Sequence, residues 1–301
     1  MFQAIRQRLL HLHRCRGLSR TKLRRLLQMD PSLNKIFFLT PSQISEYLLI
    51  ESKYAHMLYQ DMHNYKIMQE AIADNSRYTT ITIIDENYPD MLKTIKDAPI
   101  VLYTAGDNKL LHKIPSISVI GTRNPSNHAF SKMKHIVLPL VNEKWVIISG
   151  MAKGVDSLAH QMALSNGGKT IAILGSGFHH IYPKENEQLF HQITSSGLVI
   201  TEYPPDVPPR KYHFPERNRI ISGLSFATLV IEATERSGTM ITVDQALDQG
   251  RDVYAVPGSP HMKQAIGCLK LIQDGAKLVI SHKDIIKDWE NEGVHWSKVQ
   301  G

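Results

Sequence analysis

Two regimes of hydrophobic patterning divide the chain. Over residues 1 to about 75 the apolar positions recur at helical spacing: Ile5, Leu9 and Leu12, then Leu23, Leu26 and Leu27. Residues Arg14 to Ser19 interrupt that pattern; Gly17 suits a turn and Ser19 can cap the helix that follows. From Ser116 onward the pattern changes to short, apolar, β-branched runs alternating with helical stretches of about 10–15 residues. These runs predict strands over Ser118–Ile120, Val146–Ser149, Thr170–Leu174, Leu198–Thr201, Thr228–Glu232, Asp252–Val256 and Lys277–Ile280. Strands apolar on both faces belong inside a layered structure, and strand–helix alternation implies crossover units and a parallel sheet. The predicted fold class is α/β, a Rossmann-like, doubly wound, mostly parallel sheet preceded by a small all-α domain.

The expected domains are a helical domain over 1–75, a connector over 76–113 packed on the main domain, and an extended Rossmann-like domain over 114–301. The connector holds a strand near Thr80–Ile84, a turn at Tyr88-Pro89 and an apolar piece, Pro99–Tyr103. No internal repeat is visible. The helix–glycine turn–helix at the start resembles a sterile-alpha-motif-like or helix–hairpin–helix unit. Between Arg6 and Arg25 it carries Arg6, Arg8, Arg14, Arg16, Arg20, Lys22, Arg24 and Arg25 and no acidic residue. Such a run suits phosphate binding or a solvated basic face, and both readings stand.

Composition narrows the class of partner. The 301 residues are 42% hydrophobic, enough for a sizeable core, and the formal net charge is +7. A basic balance favours an anionic partner without naming it. The two cysteines, Cys15 and Cys268, form no CxxC pair, which argues against a disulfide framework or a zinc ribbon and fits a reducing cytosol. No apolar run reaches the roughly 20 residues that cross a bilayer, so no membrane insertion is expected. The N-terminus lacks a secretory h-region. Its arginine-rich composition is compatible with a transit peptide, although a helical module accounts for it better. A cytoplasmic location is expected.

In a parallel sheet the informative residues follow the strands. After the first come Gly121, Thr122 and Arg123; after the second, Ser149, Gly150, Lys153 and Asp156; after the third, Gly175, Ser176 and Gly177, then Tyr182 and Lys184. The fourth leads to Glu202-Tyr203-Pro204-Pro205, and the fifth to Glu235-Arg236 and then Ser237, Gly238 and Thr239. Glycines with hydroxyl and amide donors at helix N-termini bind anions. Five such loops on one edge predict an extended anion-binding rim. Gly121 stands alone, Gly175-Ser176-Gly177 lacks the third glycine of a dinucleotide fingerprint, and no Walker lysine pattern occurs, so no nucleotide cofactor is expected. The histidines form no metal-ligand set. His160 reads as a packing or capping residue, and Asp156 and Glu232 as cap and sheet-end carboxylates.

The densest chemistry runs from Lys211 to Ser225. Lys211, Arg217 and Arg219 are cations, Tyr212, His213 and Phe214 are rings, and Asn218 offers an amide. Cations track a phosphate backbone and rings stack on bases regardless of sequence. The plainer alternative is a surface loop whose arginines pair with carboxylates such as Glu216, Glu232 and Glu235.

Taken in order, the motifs at 119–123 (VIGTR), 149–156 (SGMAKGVD), 159–160 (AH), 174–177 (LGSG), 182–186 (YPKEN), 202–205 (EYPP), 214–225 (FPERNRIISGLS), 237–242 (SGTMIT) and 256–259 (VPGS) make residues from about 80 to 281 resemble the DNA-processing protein A (DprA/Smf) family. The resemblance implies a non-enzymatic protein that binds and protects incoming single-stranded DNA in natural transformation. It implies loading of the RecA recombinase, displacement of single-strand-binding protein, and action as a homodimer. By motif it assigns DNA contacts to Arg123, Lys184, Lys211, Phe214, Arg217, Asn218 and Arg219. Two departures stand out. Leu269 occupies a position where the family often has Asn, and the chain is expected to lack the winged-helix module that some members append. Leu269, Ile272 and Leu278 can form an apolar dimer seam or pack on the sheet. A related enzyme class, the LOG-type nucleoside monophosphate hydrolases, carries a catalytic Glu where Thr242 stands here and a glycine pair that this chain lacks, which disfavours hydrolysis.

Overall fold

The computed structural model describes residues 2–235 and 237–298, with side chains over 4–235 and 237–292. Arg236, in one of the strand-end loops, lies outside the described residues. The chain divides into two compact units. One takes in Met1–Tyr88 and Pro99–Tyr103, the other Pro89–Ala98 and Thr104–Gly301.

The first unit is built from α1 (Phe2–Arg14), α2 (Arg20–Met29), α3 (Pro41–Leu48), α4 (Ser52–Met62), α5 (Tyr65–Arg77) and the strand β1 (Thr79–Thr82). Leu9, Leu12, Leu23 and Leu26 are buried, as their spacing requires. Gly17 turns the chain at φ +77°, and a Cβ there would stand 2.3 Å from the carbonyl oxygen of Tyr54. Ser19 Oγ accepts the N–H of Lys22 and caps α2. The basic run is largely occupied inside this unit. Arg6 donates to Asp85 at 3.1 Å and to the Thr80 carbonyl at 2.7 Å. Arg14 pairs with Glu70 and Asp74, Arg16 grips Asp61 through Nε and Nη2, and Lys22 Nζ caps the carbonyls of Leu48 and Leu49. The local stretch contains no acid because its acids arrive from α4, α5 and the turn after β1.

The chain then forms α6 (Asp90–Lys93) and β2 (Val101–Gly106), the latter beside β1. The second unit carries the sheet: β3 (Ser116–Ile120), β4 (Val146–Ser149), β5 (Lys169–Ile173), β6 (Leu198–Thr201), β7 (Ala227–Val230), β8 (Asp252–Ala255) and β9 (Lys277–Leu278). Its helices are α7 (Ala129–Asn142), α8 (Val155–Ser165), α9 (Glu187–Ser196), α10 (His213–Gly223), α11 (Gly238–Asp248), α12 (Ile266–Gln273) and α13 (His282–Lys298). The strands lie in the order β6-β5-β4-β3-β7-β8-β9, all parallel. All seven predicted strands are present, and β3 to β7 are buried almost throughout because helices cover both faces. On one face Ile117, Val119, Ile147 and Leu229 pack with Met133 and Val137 of α7 and Val155 and Ala159 of α8; Trp145 closes this core against Trp289 of α13 at 5.7 Å.

The winding reverses between β3 and β7. From β3 the chain steps outward through β4, β5 and β6, then returns to place β7 on the other side of β3. That reversal opens a crevice at the carboxyl ends of β3 and β7, the position where open α/β sheets bind ligands. Sequence patterning predicts which edge carries the site; the strand order fixes where along that edge it opens. Among the described residues, no helix is long and apolar enough to cross a membrane.

Candidate nucleic-acid interface

A cleft of about 630 Å³ occupies this reversal point. The residues that line it include Gly121, Thr122 and Arg123 after β3, Asp156 of α8, Lys211, Phe214, Arg217 and Asn218 around α10, and Ser237, Gly238 and Thr239 at the start of α11. Ten of the sequence-predicted site residues therefore share one cavity. Ser149, Gly150, Lys153, Gly175, Ser176, Lys184 and Arg219 are not among its lining residues.

Local folding explains the division. The stretch after Lys211 is the helix α10, not the loop of the plainer alternative. Pro215 falls in its first turn, where a missing N–H costs nothing. The helix turns His213, Arg217, Arg219 and Ile220 inward, so these polar groups are buried. His213 stacks on Tyr203 with centroids 3.9 Å apart and donates Nδ1–H to the Gly175 carbonyl at 3.1 Å. Its ring is thus not available as a base platform.

Arg219 corrects an expectation. Its guanidinium grips Glu202 at 2.7 and 2.6 Å and donates to the carbonyls of Asp97 and Glu216. The plainer alternative describes this residue, with Glu202 as the partner in place of Glu216, Glu232 or Glu235. Arg217 is only 4% exposed. It donates Nη1–H to the carbonyls of Gly150, at 2.6 Å, and Ile173. Burial pulls its pKa down from 12.5 to about 10, so it remains a cation at neutral pH beneath the cleft.

The strand-end glycines serve this packing. A Cβ at Gly150 would stand 2.6 Å from the Arg217 guanidinium, and one at Gly175 would meet the Phe214 ring at 2.9 Å. Ser149 Oγ donates to the Val119 carbonyl and Ser176 Oγ to that of His180; both side chains are buried. Lys153 is paired at the surface with Glu185 at 2.6 Å. In these two loops, after β4 and β5, glycine and serine hold the protein's own groups. The anion-binding rim expected from five loops therefore draws nothing from the glycines and serine hydroxyls of these two.

What faces solvent is a smaller set. Arg123, Lys184 and Lys211 are exposed and have no ion-pair partner among the described residues. Phe214 is half-buried, its ring 5.4 Å from that of Tyr182, which is 49% exposed. Ser237 precedes α11 and, with Gly238 and Thr239, brings a helix N-terminus to the cleft; its buried Oγ has no partner among the described residues. Tyr182, named after the third strand but not among the DNA contacts expected from the sequence, also lines the cleft; its signal is a ring beside Lys184 in the 182–186 motif. Asp156 lies in the cleft wall, its carboxylate accepting the N–H of Gly150 at 3.2 Å and raised in pKa by burial. Glu232 caps Ser126, as a sheet-end carboxylate should.

The candidate dimer residues lie away from the cleft. Leu269 and Ile272 on α12 are partly buried, and Leu278 on β9 is 44% exposed.

Comparisons with known proteins identify the family and the fold. A family model described as DNA recombination-mediator protein A matches residues 79–290. The DNA processing protein DprA of Bacillus subtilis is 43% identical over 219 residues, 73% of this chain and 74% of that protein. Its Streptococcus pneumoniae counterpart is 45% identical over 214 residues, 71% of this chain and 75% of that protein. Among solved structures, that of DNA processing protein A from Streptococcus pneumoniae superposes with TM-score 0.81 at 37% identity, covering 93% of this chain and 95% of that one. DNA processing protein A from Helicobacter pylori, whose structure is described for its unique single-stranded DNA binding mode, gives TM-score 0.64 at 29% identity over 72% of this chain and 98% of that one.

Proposed function

Because the chain belongs to the DNA recombination-mediator protein A family, we propose that its cleft binds single-stranded DNA without catalysing a reaction. In this reading the protein acts in the cytoplasm during natural transformation. It protects the incoming strand, displaces single-strand-binding protein and hands the strand to the RecA recombinase. The observation that carries the reading is that Arg123 and Lys211, exposed and unpaired among the described residues, converge with Phe214 on one cleft at the sheet's reversal point. Cations there hold phosphates while Phe214 and Tyr182 offer faces to bases, a combination tolerant of sequence. The α11 N-terminus with Ser237, Gly238 and Thr239 supplies neutral donors for a further phosphate. Lys184 lies in the same motif as Tyr182 and extends the track. Arg217 contributes its charge from beneath, and Asn218 an amide at the cleft wall.

The test is binding of a labelled oligo-dT and a matched duplex to wild type and to Lys211→Glu. Single-strand preference that collapses in the variant is the expected result; equal binding by both proteins would remove the cleft from the function. Thr242 lines the same cleft as a neutral hydroxyl where the hydrolases place their Glu. Release of free base from a nucleoside monophosphate, in proportion to protein, would favour the enzymatic alternative. The homodimer is proposed to close over Leu269, Ile272 and Leu278, and Leu269→Glu is then expected to yield monomer in sedimentation.

A further inference from the structure

The loop leaving β3 does not end at the cleft. Residues 123–128 run on into α7, and a single buried carboxylate fixes that passage. Glu232, fully buried at the end of β7, accepts the N–H of Ser126 at 2.8 Å, its Oγ–H at 2.6 Å and the Nζ–H of Lys132 at 2.9 Å. The loop and the first turn of α7 are therefore held to one anchor. On that turn Ala129 and Met133 enter the core, while Phe130 between them is 57% exposed. One helical turn on, at i+4 and on the same face, stands the exposed Lys134, which has no partner among the described residues. His128, also exposed, precedes the helix. Along the chain, an exposed apolar ring thus falls between Arg123, on the cleft, and Lys134, one helical turn further on.

We infer that a single strand leaving the cleft continues over the first turn of α7, with one base stacked on Phe130 and its flanking phosphates held by Arg123 and Lys134. This rests on the proposed binding of single-stranded DNA by the cleft and adds a second stacking platform to it. Three observations carry it. The surface is continuous with the cleft along the chain, six residues separating Arg123 from Phe130. Its charge matches a phosphate backbone. Its exposed ring has the chemistry that stacks on any base. Glu232 then serves as a positioning residue, since it sets the separation of Arg123 from Phe130 without facing solvent.

The experiment compares a short oligo-dT of about 6 nucleotides with one of about 20 on wild type, Phe130→Ala, Phe130→Trp and Lys211→Glu. Phe130→Ala is expected to weaken the long oligomer by about 5- to 100-fold and to leave the short one unchanged. Phe130→Trp is expected to keep full affinity, and its added indole fluorescence to be quenched by the long oligomer. Lys211→Glu is expected to lose both. If Phe130→Ala binds the long oligomer as wild type does while Lys211→Glu does not, the extension is overturned and the cleft reading survives. Equal losses on short and long oligomers in Phe130→Ala overturn the extension as well. If Lys211→Glu keeps both affinities, the cleft reading falls and takes the extension with it.

Discussion

Arg217 and Arg219 sit two positions apart in one motif, yet burial gives them different work. Arg219 and Glu202 are each about 5% exposed and meet through two parallel hydrogen bonds, with Arg219 also paired to Asp97 at 3.3 Å, so removing either charge takes from the other its buried bidentate partner. Removing one partner of such a pair costs about 3–5 kcal/mol, because the survivor keeps its desolvation cost and loses its bidentate counter-charge. Arg219→Ala should therefore lower unfolding free energy by that amount in urea. Replacing Arg219 and Glu202 together by apolar residues should recover much of the loss. A double variant no more stable than Arg219→Ala would show that the pair is not the reason. Loss of DNA binding in Arg219→Ala alone would thus report on folding, whereas Lys211, exposed and unpaired, can be changed without that ambiguity.

At the scale of elements, α8 is fastened to the sheet by a chain of polar groups that water does not reach. Thr170 of β5 donates Oγ–H to the Ile147 carbonyl of β4 at 2.7 Å, so the 2.6 Å contact with His160 of α8 requires His160 Nδ1 to carry the proton. Burial, with the charge of Arg217 adding to it, depresses the His160 pKa from 6.5 to about 3. The unfolded chain takes up this proton below pH 6.5 and the folded chain does not until about pH 3. The stabilisation is therefore complete above pH 6.5 and is lost as pH falls, by up to about 1.4 kcal/mol per pH unit. Between pH 7 and pH 5 the wild type should lose about 2 kcal/mol more than His160→Gln in urea denaturation; parallel losses would refute it. The strands flanking this contact were legible in the sequence because they are apolar on both faces. His160 was legible as a packing residue from its place on an apolar helix. Strand order was not legible, since no local pattern says that β7 returns beside β3. Nor was the burial of His213, Arg217 and Arg219. Their partners are Tyr203, Glu202 and the carbonyls of Gly150, Ile173 and Gly175, remote along the chain, and helical turning selects which side faces them.

For the whole molecule, the net charge of +7 conceals an uneven distribution of usable charge. The densest basic stretch, Arg6 to Arg25, supplies ties within the helical unit: Arg6 to Asp85, Arg14 to Glu70 and Asp74, Arg16 to Asp61. A cation already neutralised by a carboxylate releases few counterions when a strand binds. Arg123, Lys184 and Lys211 carry no such partner among the described residues and should set the salt dependence. On an oligomer short enough to occupy the cleft alone, three phosphate contacts predict that log affinity falls with log salt with a slope of roughly 2, at about 0.7 per contact. Lys184→Gln or Lys211→Gln should each lower that slope by about 0.7. Arg16→Gln should leave the slope unchanged and instead lower the melting temperature, because Asp61, 2% exposed, loses its counter-ion. The reverse pattern, with the slope following Arg16 and indifferent to Lys184 and Lys211, would move the strand from the cleft to the helical unit, and Phe130 with its neighbouring cations would then face no bound nucleic acid.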